Sequence, residues 1–455
     1  MKHFYAVSAT TLRNGSARLH AACGALLPLA CAVPAVAAEG AAQVPGVTYV
    51  VEPNAVSAGD TAWLLTSAAL VVMMTLPGLA FFYGGLVRKR NILGTMTQIF
   101  ATACAVSMLW FALGYSIAFA HGNAWIGGFS KLPNGKFVSV VQGVAVDALA
   151  SSVPETAFAL FECGFAIITA ALIVGAFAER VKFGVAVVFC SLWSLLVYAP
   201  VAHWIWQPQG WAYAMGVRDF AGGIVVHVNA GAAALACAMV VGTRRGFGKE
   251  PMIPSNLAYM LIGAGLLWIG WFGFNGGSAL GANSQAGLAS VNTLVSAATA
   301  AMVFVALEWL QRGRTSLVGI STGAVAGLVA ITPAAGFVTL DSAFVFGVLG
   351  GAVSFVGLNW IKPRLNIDDS LDVFAIHGLV GIAGSVMTPL FSRPELSGAP
   401  PQLMAEITAT VAVFAYSFGV SWLLMKLLDL ALGARLPAAD EVVGLDLSQH
   451  GESVE

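Results

Sequence analysis

The chain has 455 residues, of which 58% are hydrophobic and only 9% are charged. A soluble domain carries roughly 25% charged residues, so this composition excludes a soluble protein and predicts one that is dissolved in lipid. The formal net charge of -1 offers no basic surface for nucleic acid. None of the six cysteines forms a Cys-x-x-Cys pair, and we expect those in apolar segments to be small core residues.

The N-terminal segment, residues 1–38, is predicted to be a secretory signal peptide. A basic region precedes the apolar run AACGALLPLACAVPAVAA, in which Ala35-Val36-Ala37 offers a cleavage site. Residues 39–59 would then form a short extracellular or periplasmic segment, with the mature N-terminus outside. Because the basic region is long, an uncleaved first helix remains an alternative.

Eleven apolar segments follow, each long enough to cross a hydrocarbon core, which takes about 20 residues. Each must be helical, because lipid offers no partners for backbone polar groups. The segments are 61–86, 93–119, 154–177, 183–206, 219–242, 255–275, 287–309, 316–338, 343–361, 371–390 and 403–430. The sequence therefore predicts an all-α membrane protein with eleven transmembrane helices, a transmembrane domain at 60–430 and a cytoplasmic tail at 431–455.

Lysine and arginine alternate along the ten connections between these segments. The odd-numbered connections hold twelve of them: Arg88, Lys89, Arg90, Arg180, Lys182, Arg244, Arg245, Lys249, Arg312, Arg314, Lys362 and Arg364. The even-numbered connections hold four: Lys131, Lys136, Arg218 and Arg393. Because cytoplasmic connections carry the excess of positive charge, we expect the N-terminus outside and the C-terminus inside.

Weak internal similarity indicates two repeats of five spans plus one further span. The first span ends in FFYGGLVRK, and the sixth contains GFNGGSALG. The fifth span holds Asp219 and His227, and the tenth holds Asp372 and His377. Five spans invert the second repeat relative to the first, and inverted repeats bury their substrate path near the membrane midplane.

Two of the seven histidines, His227 and His377, fall well inside predicted spans. At 1.5 Å per residue they lie roughly 12 Å and 9 Å inward from opposite faces, so both approach the middle of the membrane. Ionisable groups inside membranes are costly and mark paths for substrates or protons. We therefore expect a functional pair that is neutral at rest and presents a donor and an acceptor. Two unrelated, separately satisfied core histidines remain the alternative.

Asp219 opens the fifth span, in the stretch DFAGGIVVHVNAG. A carboxylate there can accept hydrogen bonds from backbone N–H groups and stabilise the positive end of the helix. Direct contact with a cationic ligand is the alternative to this capping role.

The stretches DFAGGIVVHVNAG and DVFAIHG strongly resemble the Amt/Rh ammonium transporter family, in particular its bacterial Amt branch. Four further stretches resemble the family's sequences and occur in the same order: PGLAFFYGGLVRKRN, IVGAFAERVKF, IGWFGFNGGSA and LVGISTGAVAGLVAITPAAG. The resemblance covers roughly residues 58–455. It implies an eleven-helix homotrimer with a separate pore in each subunit, multi-pass in the cell (inner) membrane.

By this resemblance, His227 and His377 match the twin pore histidines, and Phe165 and Phe274 match the upper and lower aromatic gates. Phe165, Trp206 and Ser278 match the outer ammonium recruitment site, which Asp219 orders. Phe161, one helical turn before Phe165, could extend the same aromatic wall. Without the resemblance, the phenylalanines would be ordinary packing residues, Trp206 an interfacial anchor and Ser278 a small helix-packing residue.

Glu162 departs from the family pattern, because relatives commonly carry glutamine there. Our hypothesis is that it adds negative potential near the mouth and favours cation capture. A carboxyl group that faces neighbouring helices and is hydrogen-bonded or protonated is the alternative. The tail also resembles the family around GLDLSQHGE, which implies a PII-type signalling protein as a partner at the cytoplasmic face. A tail that only stabilises the trimer is the alternative.

The function predicted from these features is ammonium transport. NH4+ would be recruited at the outer aromatic site and deprotonated, and NH3 would pass the twin histidines, with or without a separately relayed proton. An ammonium sensor and a Rhesus-type gas channel are alternatives. We expect no enzymatic activity, no cofactor and no metal, because neither nucleophilic nor metal-ligand spacing is present.

Overall fold

A computed structural model describes residues 56–131, 138–141, 144–147, 149–398, 400 and 402–454. The predicted signal peptide and most of the segment that follows it lie outside these residues. The predictions for residues 1–38 therefore remain predictions.

The described chain is mostly helical, and ten of its helices are long and apolar enough to cross a membrane. They are α1 (Ala58–Leu86), α2 (Lys89–Phe119), α3 (Glu155–Phe177), α4 (Phe183–Ala214), α5 (Gly223–Val241), α6 (Leu257–Gly276), α7 (Ser284–Arg312), α9 (Leu340–Leu365), α10 (Phe374–Phe391) and α11 (Leu403–Leu432). The remaining predicted segment, 316–338, forms the shorter helix α8 (Leu317–Ile331), followed by turns. The protein is thus a multi-span helical membrane protein, as the composition predicts.

Strands occur in the connection between α2 and α3. β1 (Val138–Val141) pairs with β2 (Val144–Asp147) as an antiparallel hairpin. β3 (Leu149–Ala150) pairs in the same sense with β4 (Val153–Pro154), directly before α3 begins. These short strands were not predicted from the sequence.

Several spans contain a wide π-type turn, and three of these turns carry residues that the sequence analysis singles out. Gly223–Val228 forms the start of α5, Phe272–Gly276 the end of α6 and Phe374–Leu379 the start of α10. Such turns are rare and occur frequently at functional sites, because they displace one residue from the regular helical face. They hold His227, Phe274 and His377, respectively.

Small residues allow α5 and α10 to approach each other closely. A Cβ atom on Gly378 would lie 3.4 Å from the Cα atom of Gly231, and one on Gly231 would overlap the backbone of Gly378. Small residues at helix interfaces permit this backbone approach in membranes. The crossing fixes the distance between the two wide turns that carry the histidines.

Buried ion pairs join the connections at the predicted inner face. Arg244 donates to both carboxylate oxygens of Asp368, and Arg180 donates to the Asp368 carbonyl oxygen. Glu179 pairs with Arg88 at 2.5 Å and lies 3.6 Å from Arg244. Burial opposes ionisation of Asp368, but its hydrogen bonds and the two arginine charges outweigh burial and keep its pKa below the usual value. These pairs tie together the inner ends of four different spans.

The C-terminal tail packs against the inner ends of its own chain. After α12 (Ala438–Val443), the Leu445 N–H donates to the Asn91 Oδ1 atom at 2.9 Å, and the Leu445 side chain is fully buried. The Asp446 Oδ1 atom accepts from the Gly94 N–H at 2.7 Å, in the first turn of the long helical part of α2. The tail is therefore held by specific contacts within the subunit.

We expect Asp446→Ala to release this tail. The substitution removes the acceptor for the Gly94 N–H, and losing such a cap costs about 1 kcal/mol. Limited proteolysis of detergent-purified protein should cleave the variant's tail faster than the wild-type tail. Glu452→Ala, which changes an exposed acidic residue of the same tail, is the control and should be cleaved at the wild-type rate. Equal rates for all three proteins would show that Asp446 does not hold the tail.

Candidate functional site

The two histidines meet in the interior of the bundle. The Nδ1 atoms of His227 and His377 lie 3.2 Å apart, within hydrogen-bond distance. The ring centroids are 5.2 Å apart, with an angle of 26° between the planes. Both side chains are buried, with 1% and 5% of their surface exposed. The predicted convergence of the two spans at this pair is confirmed.

This contact determines how the pair can present its outer nitrogens. One Nδ1 atom must donate and the other must accept, because two donors or two acceptors facing each other would repel. In a neutral imidazole one nitrogen donates and the other accepts. The pair therefore exposes one acceptor and one donor at its two Nε2 atoms. The Nε2 atom of His227 is buried without a partner in the described chain.

Aromatic rings continue in a column from His227 toward the predicted outer face. The Phe274 ring lies 6.1 Å from the His227 ring, and the Phe165 ring stacks on Phe274 at 4.1 Å. Trp206 meets Phe165 edge-on at 5.7 Å, and Phe161 packs against Phe165 at 4.9 Å. The residues that resemble the two gates are thus in direct contact and close the path to the histidines from this side.

A narrow internal space lies beside the histidine pair and ends at Phe274. Both histidines, Trp271 and aliphatic side chains of α1, α3, α6 and α8 line it. The centre of a water-sized sphere can occupy about 10 Å³ of it, which is the room needed for one water-sized molecule. The imidazoles offer hydrogen-bonding nitrogens to this space, whereas the Tyr83 hydroxyl in its lining already donates to the Leu172 carbonyl oxygen.

Trp271 belongs to this space, although the sequence analysis did not single it out. Its ring stacks on His227 with centroids 5.5 Å apart, and its Nε1–H donates to the Thr332 hydroxyl at 2.9 Å. The hydrogen bond fixes the plane of the indole, which in turn restrains His227. Trp271 could have been identified from the sequence by its position three residues before Phe274, because this spacing places both side chains on neighbouring faces of one helix.

Asp219 organises the outer end of the column in two ways. Its carboxylate accepts from the four N–H groups of residues 222–225 at 2.6 to 3.0 Å. Its carbonyl oxygen accepts from the Trp206 indole N–H at 2.8 Å. The geometry agrees with the predicted capping role, although α5 itself begins four residues later, at Gly223. Asp219 thus links the start of α5 to the position of Trp206.

Ser278 and His203 differ in their relation to the column. The half-buried Ser278 lies just beyond α6, and its hydroxyl donates to the Phe274 carbonyl oxygen at 2.8 Å, which leaves oxygen lone pairs to accept from a ligand. His203 lies in the last helical turns of α4 before Trp206. It is fully buried, and both ring nitrogens face carbonyl oxygens, those of Ala118 and Asn123.

Asp369, rather than Asp372, is the counterpart of Asp219 in the second repeat. Asp369 precedes His377 by eight residues, the spacing that separates Asp219 from His227. Its Oδ2 atom accepts from the Phe374 N–H at 2.7 Å and so caps α10, whereas Asp372 pairs with Lys362. Burial raises the pKa of Asp369 to about 6. The pairing of Asp372 with Asp219 was therefore wrong.

The cysteines are only partly as expected. Cys163, Cys190 and Cys237 are buried and unpaired, as predicted, but Cys104 is exposed on the surface of α2. Within the described ranges, no group of three or more His, Cys, Asp or Glu side chains could hold a metal ion.

Known proteins are similar to this chain in both sequence and architecture. The Ammonium Transporter Family model matches residues 62–455. An ammonium transporter of Bacillus subtilis is 40% identical over 405 residues, covering 87% of this chain and 98% of the relative. The crystal structure of Candida albicans Mep2 is 32% identical, with a TM-score of 0.78 and coverage of 86% and 89% of the two chains.

A further solved structure, titled Sensor Amt Protein, is 26% identical with a TM-score of 0.79 and covers 86% of this chain and 98% of its own. The relatives thus carry names of transporters and a sensor, and the matches span almost all of the described chain. Together with the paired histidines and the aromatic column, they establish that this chain belongs to the ammonium transporter family.

Proposed function

We propose that the protein takes up ammonium by binding NH4+ at the outer end of the aromatic column, removing its proton and conducting NH3 past the histidines. Phe165, Trp206 and Ser278 form the recruitment site, and Asp219 orders it. Phe165 and Phe274 act as gates, and His227 and His377 line the pore. The proton either follows along the histidine pair or stays outside.

The histidine contact below the stacked phenylalanines carries this proposal. A desolvated ion in an apolar passage costs far more than a neutral polar molecule, so a passage with room for one water-sized molecule favours NH3 over NH4+. Ammonia can donate to one imidazole nitrogen and accept from another, which matches the one donor and one acceptor that the pair offers. The site therefore suits a small neutral hydrogen-bonding molecule.

Potassium is about the size of ammonium, so a sieve would not separate the two. Both cations would be attracted to the aromatic faces. Only ammonium can donate a hydrogen bond to the Ser278 oxygen and then lose a proton. Selectivity in this scheme comes from deprotonation before the apolar passage.

The surroundings of the pore follow from the resemblance and from the charge distribution. We place the mature N-terminus outside and the tail inside, in the cell (inner) membrane, because the basic connections lie on the tail side. The functional unit is a homotrimer, and a PII-type signalling protein binds at the cytoplasmic face. The docked tail, which is held against Asn91 and Gly94, supplies a defined surface for such a partner.

Electrophysiology of purified protein in liposomes tests the proposal. An ammonium pulse should produce flux that saturates, and a potassium pulse of equal concentration should not. The dependence of flux on membrane potential separates net NH4+ transport from net NH3 transport. Potassium currents equal to ammonium currents would contradict the mechanism.

An ammonium sensor that conducts poorly is the second candidate, favoured by the structural similarity to the sensor Amt protein. It predicts saturable ammonium binding, measured by Trp fluorescence, with no flux above that of protein-free liposomes. Binding together with flux would reject it.

We expect Trp206→Leu to weaken ammonium capture. A cation above an indole face gains about 0.5–2 kcal/mol, which corresponds to an increase of about two- to thirtyfold in the half-saturating concentration. The maximal rate should change less, because the histidine pair is untouched. Trp125→Leu, which alters an exposed tryptophan outside the column, should leave both parameters unchanged. An unaltered half-saturating concentration in Trp206→Leu would remove this residue from the recruitment site.

A further inference from the structure

A buried carboxyl group lies beside the aromatic column without an ion-pair partner. Glu162 lies in α3 immediately after Phe161, and only 7% of its surface is exposed. Its Oε2 atom is buried and has no hydrogen-bond partner in the described chain. Among the described residues, no lysine or arginine forms an ion pair with it.

The position of Glu162 on α3 brings it next to the gate. Residues three apart on a helix are surface neighbours, with Cβ atoms roughly 5–6 Å apart, and Phe165 is three residues after Glu162. Phe165 in turn contacts both Trp206 and Phe274. The carboxyl group therefore lies on the helix that carries the upper gate, about one turn from Phe165.

A second unpartnered polar atom lies near Glu162, on α4. The Tyr198 hydroxyl oxygen is buried and has no hydrogen-bond partner in the part of the chain that the structure describes. The acidic groups within electrostatic reach of this hydroxyl are Glu162, Cys163 and Asp219. The four N–H groups of α5 already satisfy the Asp219 carboxylate, so Glu162 keeps the free acceptor capacity.

Packing alone does not account for this carboxyl group. An unpaired ionisable side chain inside a membrane costs a few kcal/mol, and such residues mark paths of ions or protons. A glutamine of the same shape would fill the space without that cost.

We propose that Glu162 accepts the proton that ammonium loses at the recruitment site. The inference rests on the proposed function, which requires such an acceptor. One N–H bond of ammonium breaks and its electron pair stays on nitrogen, while an O–H bond forms on the Glu162 carboxylate. Neutral ammonia then enters the passage.

Transport kinetics of Glu162→Gln in liposomes test this role. Losing a general base lowers rates by about 10²-fold or more, so the maximal ammonium rate should fall by that factor. The half-saturating concentration should stay near the wild-type value, because the aromatic site is intact. Glu406→Gln is the matched control, since Glu406 is 2% exposed, bonds the Arg218 N–H and also has one unpartnered oxygen. It should keep the wild-type rate.

Infrared difference spectroscopy provides a readout that does not depend on transport. Adding ammonium to the wild-type protein should produce the band of a protonated carboxyl group. The band should persist in Glu406→Gln and vanish in Glu162→Gln. If Glu162→Gln fails to fold, the absence of this band from the wild-type spectrum would still overturn the inference.

Three outcomes overturn the inference. They are an unchanged maximal rate in Glu162→Gln with an unchanged half-saturating concentration, an unchanged maximal rate with an altered half-saturating concentration, and no carboxyl band in a wild-type protein that transports. A change confined to the half-saturating concentration would mean that Glu162 only attracts cations. Failure of the wild-type protein to move ammonium would instead refute the proposed function itself.

Discussion

Replacing His227 or His377 by alanine is expected to lower the preference for ammonium over potassium by about tenfold or more. Each variant leaves the partner ring nitrogen buried without its hydrogen bond, which costs about 1–3 kcal/mol. Each also enlarges a passage that now has room for one water-sized molecule, so that a partly hydrated cation can enter. A factor of ten corresponds to about 1.4 kcal/mol, within the range that one lost interaction supplies.

The measurement compares ammonium and potassium fluxes through both variants in liposomes at matched protein density. His203→Gln is the control, because His203 is equally buried but its ring nitrogens face the carbonyl oxygens of Ala118 and Asn123 and not a pore histidine. We expect it to reduce stability and to retain selectivity. If both pore variants keep the wild-type rate and the wild-type preference, neutral passage along the imidazole pair is wrong.

Much of the fold could be predicted from the sequence because lipid leaves few alternatives. Runs of about 20 apolar residues must be helices when the solvent offers no backbone partners, and the predicted segments agree with the helices to within a few residues at most ends. The pairing of His227 with His377 followed from their matched depths in an inverted repeat. The orientation of the bundle and the number of chains that assemble remain predictions.

Details of the site were harder to predict because they depend on local backbone geometry. Nothing in the composition shows the wide turns that carry Phe274 and both histidines, since these turns arise from packing between helices. Asp369 was not recognised as the counterpart of Asp219 because the stretch DVFAIHG, on which the comparison rested, begins at Asp372. The eight-residue spacing from Asp369 to His377, which equals that from Asp219 to His227, could have identified it. The docked tail depends on contacts over more than 350 residues, such as that between Leu445 and Asn91.

Asp219 shows how one side chain can couple stability to recognition. The four N–H groups that donate to its carboxylate lie at the positive end of α5, where the helix dipole also stabilises a negative charge. The same turn continues to His227, and the Asp219 carbonyl oxygen holds the Trp206 indole. A substitution of Asp219 is therefore expected to affect both Trp206 and His227, which lie at the two ends of the column.

We expect Asp219→Ala to destabilise the protein by about 3 kcal/mol or more, because hydrogen bonds to a charged acceptor contribute about 1.5–3 kcal/mol each and the N–H groups left behind are buried. Ammonium flux should fall by about tenfold or more, since α5 and Trp206 lose their common anchor. Thermal inactivation in detergent measures stability, and liposome flux at a temperature where the variant remains folded measures transport. Asp341→Ala is the matched control, because Asp341 lies exposed in the first turn of α9 and should affect neither quantity. A folded Asp219→Ala protein with wild-type flux would separate capping from recognition and would show that Trp206 is held in place without the Asp219 anchor.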